Sequence, residues 1–137
     1  MHLVVLFLRP GEGPLQERLA DLRLGRAARN AQIIERLSGI GLPVTHEEVL
    51  EFAVGESVGR PHIAAVMLRK GYVESIAAAF DEYLAFGRPA YFARPRLEPQ
   101  EAIRLASAEG AVPVLAHPHT LGLDSSAEVT KTLSALA

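Results

Sequence analysis

The chain has 137 residues, 49 % of them apolar, which is enough for a compact domain with a real core and too apolar for a disordered segment. A net charge of −2 provides no global field for nucleic acid, and the absence of cysteine excludes disulfides and thiolate metal sites, so a metal would need His, Asp or Glu ligands. A reducing cytoplasm is the expected compartment; the run from Leu3 to Leu8 is too short for a membrane span and lacks a signal peptide's basic flank.

The stretch from Met1 to Leu8 reads as an apolar strand buried on both faces, stopped by Arg9-Pro10-Gly11 and Gly13-Pro14. A long helix follows over about 15–37. Leu15, Leu19, Leu22, Ala27, Ala28, Ile33 and Leu37 form its apolar stripe. Arg18, Arg23, Arg26, Arg29 and Arg36 fall mostly on the other face, with Glu17, Asp21 and Glu35 as nearby partners. Gly39 or Gly41 ends the helix, and Pro43 prevents continuation.

Thr45-His46-Glu47-Glu48 is a capping box that opens a short helix to about Ala53, and His46 within it is structural. A turn over 55–59 leads to a helix over 61–70, with Pro61 at its first position and Gly71 beyond its end. The next helix is expected over 75–86, stopping at Gly87. The prolines and aromatics from Arg88 to Pro99 make an extended connector. Pro99 begins another helix, ended by Gly110, and a second strand covers 112–116, where Pro113 suits a strand start or an edge. Ser125-Ser126-Ala127-Glu128 offers a capping box for a final helix. Both chain ends read as cuts through a larger fold.

The residues with chemistry cluster at element ends. Arg60 and His62 flank Pro61 at a helix N-terminus, where free N–H groups and the dipole favour an anion. A guanidinium adds bidentate phosphate contacts; the alternative is pairing of Arg60 with Glu56. His117 follows Val114-Leu115-Ala116 at a strand's C-terminal end, the usual ligand-binding end of α/β folds, and Pro118 turns the chain there. It is either a ligand or a loop hydrogen-bonding residue. His119 is a second ligand or, more in keeping with its loop, an exposed residue. His2 is a ligand at a strand's start or an ordinary second residue. In the connector, Arg88, Arg94 and Arg96 alternate with Tyr91 and Phe92, which suits either base stacking with phosphate neutralisation or inward packing of the aromatics.

The run Gly59-Arg60-Pro61-His62-Ile63-Ala64, then Gly71-Tyr72, Ala79-Phe80, Tyr83-Leu84, the 87–91 connector and Val114-Leu115-Ala116-His117-Pro118 resemble, in order and spacing, the PHP (polymerase and histidinol phosphatase) proteins. The similarity covers nearly the whole chain and points to the branch acting on nucleoside 3′,5′-bisphosphates and the 5′ ends of short RNAs. His2-Leu3-Val4 resembles that branch's His-Ile-Leu strand.

The resemblance implies an α/β fold, part of a (β/α)7 barrel with a helical insert. Residues 1–14 would be a barrel strand and turn, 15–97 the insert and connector, and 98–137 a barrel helix-strand-helix unit. It implies His2 and His117 as metal ligands and Arg60 and His62 as phosphate contacts; from the connector's composition, Arg94 or Arg96 is expected as a further substrate contact. It implies divalent ions, Mn2+ first, with Mg2+, Zn2+ and Fe2+ as alternatives, and metal-assisted hydrolysis of a phosphate ester.

The family's first motif, His-x-His near the start, is absent, as are its Thr-Asp-His-Asp, early Glu and late Asp-x-His, and His119 stands where Gly is common. The chain is therefore expected to be a middle portion, weakly active or inactive alone. Expected partners are a nucleotide or short RNA and, through exposed strand edges, a second copy; no membrane is expected. A non-catalytic nucleic-acid-binding helical module is the alternative.

Overall fold

A computed structural model describes residues 2–53, 58–123 and 125–136. The chain divides into two compact units, Met1–Leu22 with Arg96–Ala137, and Arg23–Pro95. No helix among the described residues is long and apolar enough to cross a membrane.

In the first unit, β1 (His2–Leu6) pairs antiparallel with β2 (Val112–Ala116), His2 opposite Ala116 and Val5 opposite Pro113. The expected strand start at Met1 lies outside the described residues. The continuous apolar run suggested burial on both faces, but Val4 and Leu6 are exposed on one face while Leu3 and Val5 are half-buried on the other. The physical reason is the sheet itself: among the described residues it has two strands, antiparallel, with one open face and no closed barrel.

Helix α1 (Pro14–Gly39) starts in this unit with proline at its first position, where a missing N–H costs nothing. The Leu15 N–H donates to Glu109 Oε1 at 2.8 Å, so a carboxylate just past α5 (Pro99–Ala108) satisfies an orphan donor at the positive end of α1. Leu15, Leu105, Ala106 and Ala111 form the core here, with Val5, Leu8, Leu19 and Leu97 against it. Helix α6 (Ser126–Leu136) opens on the expected reciprocal bonds between Ser125 and Glu128.

The second unit has its own core. Ile33, Leu37, Val49, Ile63, Val66, Met67 and Leu84 are fully buried in it, each contributing roughly 1.5–3 kcal/mol by leaving water. Helix α1 ends at a Schellman motif: the Leu42 N–H donates to Leu37 O (2.9 Å) and the Gly41 N–H to Ser38 O (3.1 Å). Gly41 sits at φ +84°, so it is the true stop.

Helix α2 (His46–Leu50) has both capping-box bonds, Thr45 N–H to Glu48 Oε2 at 2.8 Å and Glu48 N–H to Thr45 Oγ1 at 3.2 Å. Glu48 also accepts from Lys70 Nζ at 2.8 Å, joining α2 to the end of α3 (Arg60–Arg69).

The expected helix over 75–86 is a single α turn, α4 (Ile76–Ala79), capped by Ser75, followed by a π-helical turn Phe80–Leu84. The bond that widens the turn is local, and its last carbonyls have tertiary partners. The Ala85 N–H reaches back to Phe80 O (2.8 Å), Leu84 O accepts from Arg60 Nη1, and Tyr83 O accepts from the Ala90 N–H (2.9 Å). Ala85 is already extended, so Phe86 and Gly87 lie outside the helix.

Candidate functional site

Gly59 is the extended N-cap of α3, and the His62 ring folds back so that Nδ1 accepts from the Gly59 N–H at 3.0 Å. An accepting Nδ1 fixes the neutral tautomer with its proton on Nε2. Arg60 Nη1 donates to Leu84 O at 2.8 Å, and its guanidinium lies 5.8 Å from the Phe80 ring centroid and 5.5 Å from that of Tyr91. The π-helical turn and the connector thus hold Arg60 in place.

Facing it is a buried part of α1. Arg29 is 6 % exposed and Asn30 2 %. Arg29 Nη2 donates to Asn30 Oδ1 (2.8 Å), Asn30 Nδ2 donates to Val58 O (3.1 Å), and Arg29 Nε is buried without a hydrogen-bond partner. Arg26, Arg29, Arg60 and Arg94 converge, with Val58, Gly59, Pro61 and Phe80, around a cleft of about 310 Å3. No Asp or Glu is among these lining residues. Burial pushes the Arg29 guanidinium below its ordinary value, and the positive charges of Arg60, Arg26 and Arg94 push it further. Guanidiniums crowded against one another at the N-terminus of a ten-residue helix are relieved by a compact, oxygen-rich polyanion.

Of the residues expected to contact substrate, Arg60 and Arg94 line this cleft. His62 serves as the cap of Gly59 and is not among the lining residues. Arg96 is exposed and belongs to the other unit. Glu56, the alternative partner for Arg60, lies outside the described residues. Tyr91 and Phe92 are half-buried, Phe92 against the core and Tyr91 beside Arg60. His46 is exposed at the start of α2.

Arg26 and Arg29, expected on the arginine face that is solvated or, in the binding-module alternative, contacts nucleic acid, line the cleft; Asn30, singled out by no sequence feature, is buried beside them, and Ala27 and Ala28, expected in the apolar stripe, are exposed. The signal was available in the helical period. Counting back three and four residues from buried Ile33 gives Asn30 and Arg29, so the stripe continues as polar groups rather than rotating to the alanines.

In the first unit, antiparallel pairing brings the start of β1 beside the end of β2. The His2 and His117 ring centroids lie 5.6 Å apart, and those of His117 and His119 6.3 Å apart. All three are exposed, His119 as the loop reading expected. His117 adopts the left-handed conformation (φ +50°), and its carbonyl accepts from the Thr120 N–H and hydroxyl. Among the described residues no three His, Asp or Glu side chains gather as a metal-holding group. Two imidazoles are an incomplete donor set for a hydrolytic ion.

No family model matches the chain. It is 32 % identical over 118 residues to the 5′-3′ exoribonuclease Rnm of Salmonella typhimurium. It is 27 % identical over 119 residues to the 3′,5′-nucleoside bisphosphate phosphatase of Chromobacterium violaceum, and 32 % identical over 125 residues to Rnm of Escherichia coli. These alignments take in 86 %, 86 % and 91 % of this chain but 40 %, 42 % and 43 % of the relatives, so the chain spans less than half their length. Among solved structures, it resembles an amidohydrolase from Chromobacterium violaceum with bound sulfate and no metal (TM-score 0.68, 26 % identity, 98 % of this chain and 47 % of that one). It also resembles a protein described as a metal-dependent phosphoesterase from Bifidobacterium adolescentis (TM-score 0.71, 25 % identity, 97 % and 49 %). Across the region that they share, the chain is similar to the branch of PHP-type phosphoesterases that holds the exoribonuclease and the bisphosphate phosphatase.

Proposed function

We propose that this chain supplies the phosphate-holding part of a metal-dependent phosphoesterase acting on nucleotides or RNA 5′ ends. The observation that carries it is the convergence of Arg26, Arg29, Arg60 and Arg94, with Arg29 buried and its Nε unpartnered. Arg29 and Arg60 grip phosphate oxygens through paired N–H groups, and Arg94 screens the remaining charge. His62 keeps the Gly59 turn in the shape that aims Arg60. His2 and His117 serve as two ligands of a divalent ion, Mn2+ first, within a larger donor set in the complete (β/α)7 site. Such an ion, when bound, supplies Lewis-acid stabilisation of phosphoryl oxygens. With two donors the chain binds its substrate well and hydrolyses it poorly.

Titration with adenosine 3′,5′-bisphosphate tests this. Binding is expected without metal, lost on Arg29→Gln, with turnover near zero in added Mn2+. Strong Mn2+-dependent turnover abolished by His117→Ala would overturn the incomplete-site part; absence of binding would overturn the phosphate-holding part.

One observation favours a second reading. Every described residue lining the cleft falls within Arg23–Pro95, so among the described residues recognition draws on this unit alone. A non-catalytic binding module would bind RNA through this unit with no metal response, and would show no added affinity for RNA when Mn2+ is supplied.

A further inference from the structure

Phe86 is 86 % exposed, beside a cleft built for an anion. A lone exposed apolar side chain needs no explanation in itself, and Leu24 at 71 % is such a case. Phe86 differs in how it is displayed. It occupies the tip of a turn closed by the Arg88 N–H donating to Ala85 O at 3.1 Å, with Gly87 behind it at φ +78°, as a type II turn requires. A second turn follows at once, the Tyr91 N–H donating to Arg88 O at 3.0 Å. Both are anchored from below: the Ala90 N–H bonds Tyr83 O, Ala90 is fully buried, and Arg36 Nε donates to Pro89 O at 3.1 Å. The ring is therefore presented from a fixed base rather than a loose loop.

Its one aromatic neighbour is Tyr91, edge-on at 5.3 Å between centroids and 75° between planes. Tyr91 in turn meets the Arg60 guanidinium at 5.5 Å, and Arg60 lines the cleft. Phe86, Tyr91 and Arg60 form a path from an open apolar ring to the phosphate-holding cations. A ligand anchored by phosphate at Arg60 and carrying a flat apolar face one nucleotide's reach away would cover Phe86.

Resting on the phosphate-holding role proposed above, we infer that Phe86 is a stacking platform for a nucleobase of single-stranded RNA whose phosphate occupies the arginine cleft. The charge of the cleft selects this occupant over an apolar peptide, which would bring no anion to Arg29, Arg60 and Arg94. Stacking is indifferent to base identity, so the platform adds affinity without sequence preference.

The test uses the full chain and two probes, a 5′-phosphorylated pentaadenylate and inorganic pyrophosphate. Phe86→Ala is expected to weaken the oligoribonucleotide about 10-fold, the scale of one stacked base, and to leave pyrophosphate unchanged. The chain contains no Trp, so Phe86→Trp adds a single fluorophore. Its emission is expected to be quenched by the oligoribonucleotide and not by pyrophosphate, with affinity retained. Equal oligoribonucleotide affinity of wild type and Phe86→Ala, or no quenching in Phe86→Trp, overturns the platform while leaving the phosphate site standing. A wild-type chain that fails to bind pyrophosphate overturns the phosphate site and the platform together.

Discussion

Arg29 Nη2 donates to Oδ1 of the adjacent Asn30 at 2.8 Å, and both side chains are buried. A buried guanidinium ordinarily meets a carboxylate; among the described residues Arg29 meets a neutral amide, which orients it without compensating its charge. Such a group is costly to the empty protein and useful to a protein that captures anions. Arg29→Met is therefore expected to leave thermal stability unchanged or raised while weakening bisphosphate binding about 10- to 100-fold, the loss of one charged hydrogen-bonding partner. Thermal melting and calorimetric titration of the same variant check both halves; a variant that loses stability and keeps affinity would assign Arg29 to the core instead.

Arg94 and Arg96 stand two residues apart and separate cleanly in their surroundings, since Arg94 lines the cleft and Arg96 does not. Arg94→Gln is expected to lower pyrophosphate affinity several-fold, with a shallower salt dependence, and Arg96→Gln to have a smaller effect. Titrations at two ionic strengths measure the difference. An Arg96 effect as large as that of Arg94 would move the anion out of the cleft.

Thr45 accepts the Glu48 N–H and opens α2, so Thr45→Ala is expected to cost about 1 kcal/mol of unfolding free energy. Chemical denaturation reads this directly, and a Ser replacement should recover most of it.

Lys70 hydrogen bonds, followed by the Thr45 N–H, hold the Glu48 carboxyl below its ordinary value of 4.5. The same pair raises Lys70 above 10.5, chiefly through the hydrogen bonds to Glu48. A depressed acid contributes stability that is fully present above pH 4.5 and lost as pH falls through its lower folded value. The raised amine contributes below pH 10.5 and loses its share as pH rises through its higher folded value. Glu48→Gln should flatten the acid limb of a plot of denaturation midpoint against pH. Glu47, lowered by its own backbone N–H and by Thr45, keeps part of that limb in the variant.

Features set by neighbours in sequence were legible. The Thr45–Glu48 and Ser125–Glu128 boxes depend on bonds within a few residues and are found where the sequence places them, and the helix expected over 61–70 starts one residue earlier, at Arg60. Features set by distant partners were not. The π-helical turn gives its Leu84 and Tyr83 carbonyls to Arg60 and Ala90, partners that no local pattern announces. The exposure of Val4 and Leu6 depends on how many strands lie alongside, and apolar content alone does not report that. Arg29 escaped because a stripe is traced by its apolar members, and here its inward positions are an arginine and an asparagine.

Strand β1 is made well before its partner. Its five residues pair with Val112–Ala116, near the other end of the sequence, while everything in Arg23–Pro95 is contiguous. During synthesis the contiguous unit can complete its core from nearby segments, whereas the sheet must wait for Val112–Ala116 and bear the entropy of closing a long loop. Folding order is thereby built into the connectivity. Pulse-labelled hydrogen exchange should find Ile33, Ile63 and Met67 amides protected before those of Leu3 and Val5, so an arginine cleft can exist on a chain whose histidine pair has not yet assembled.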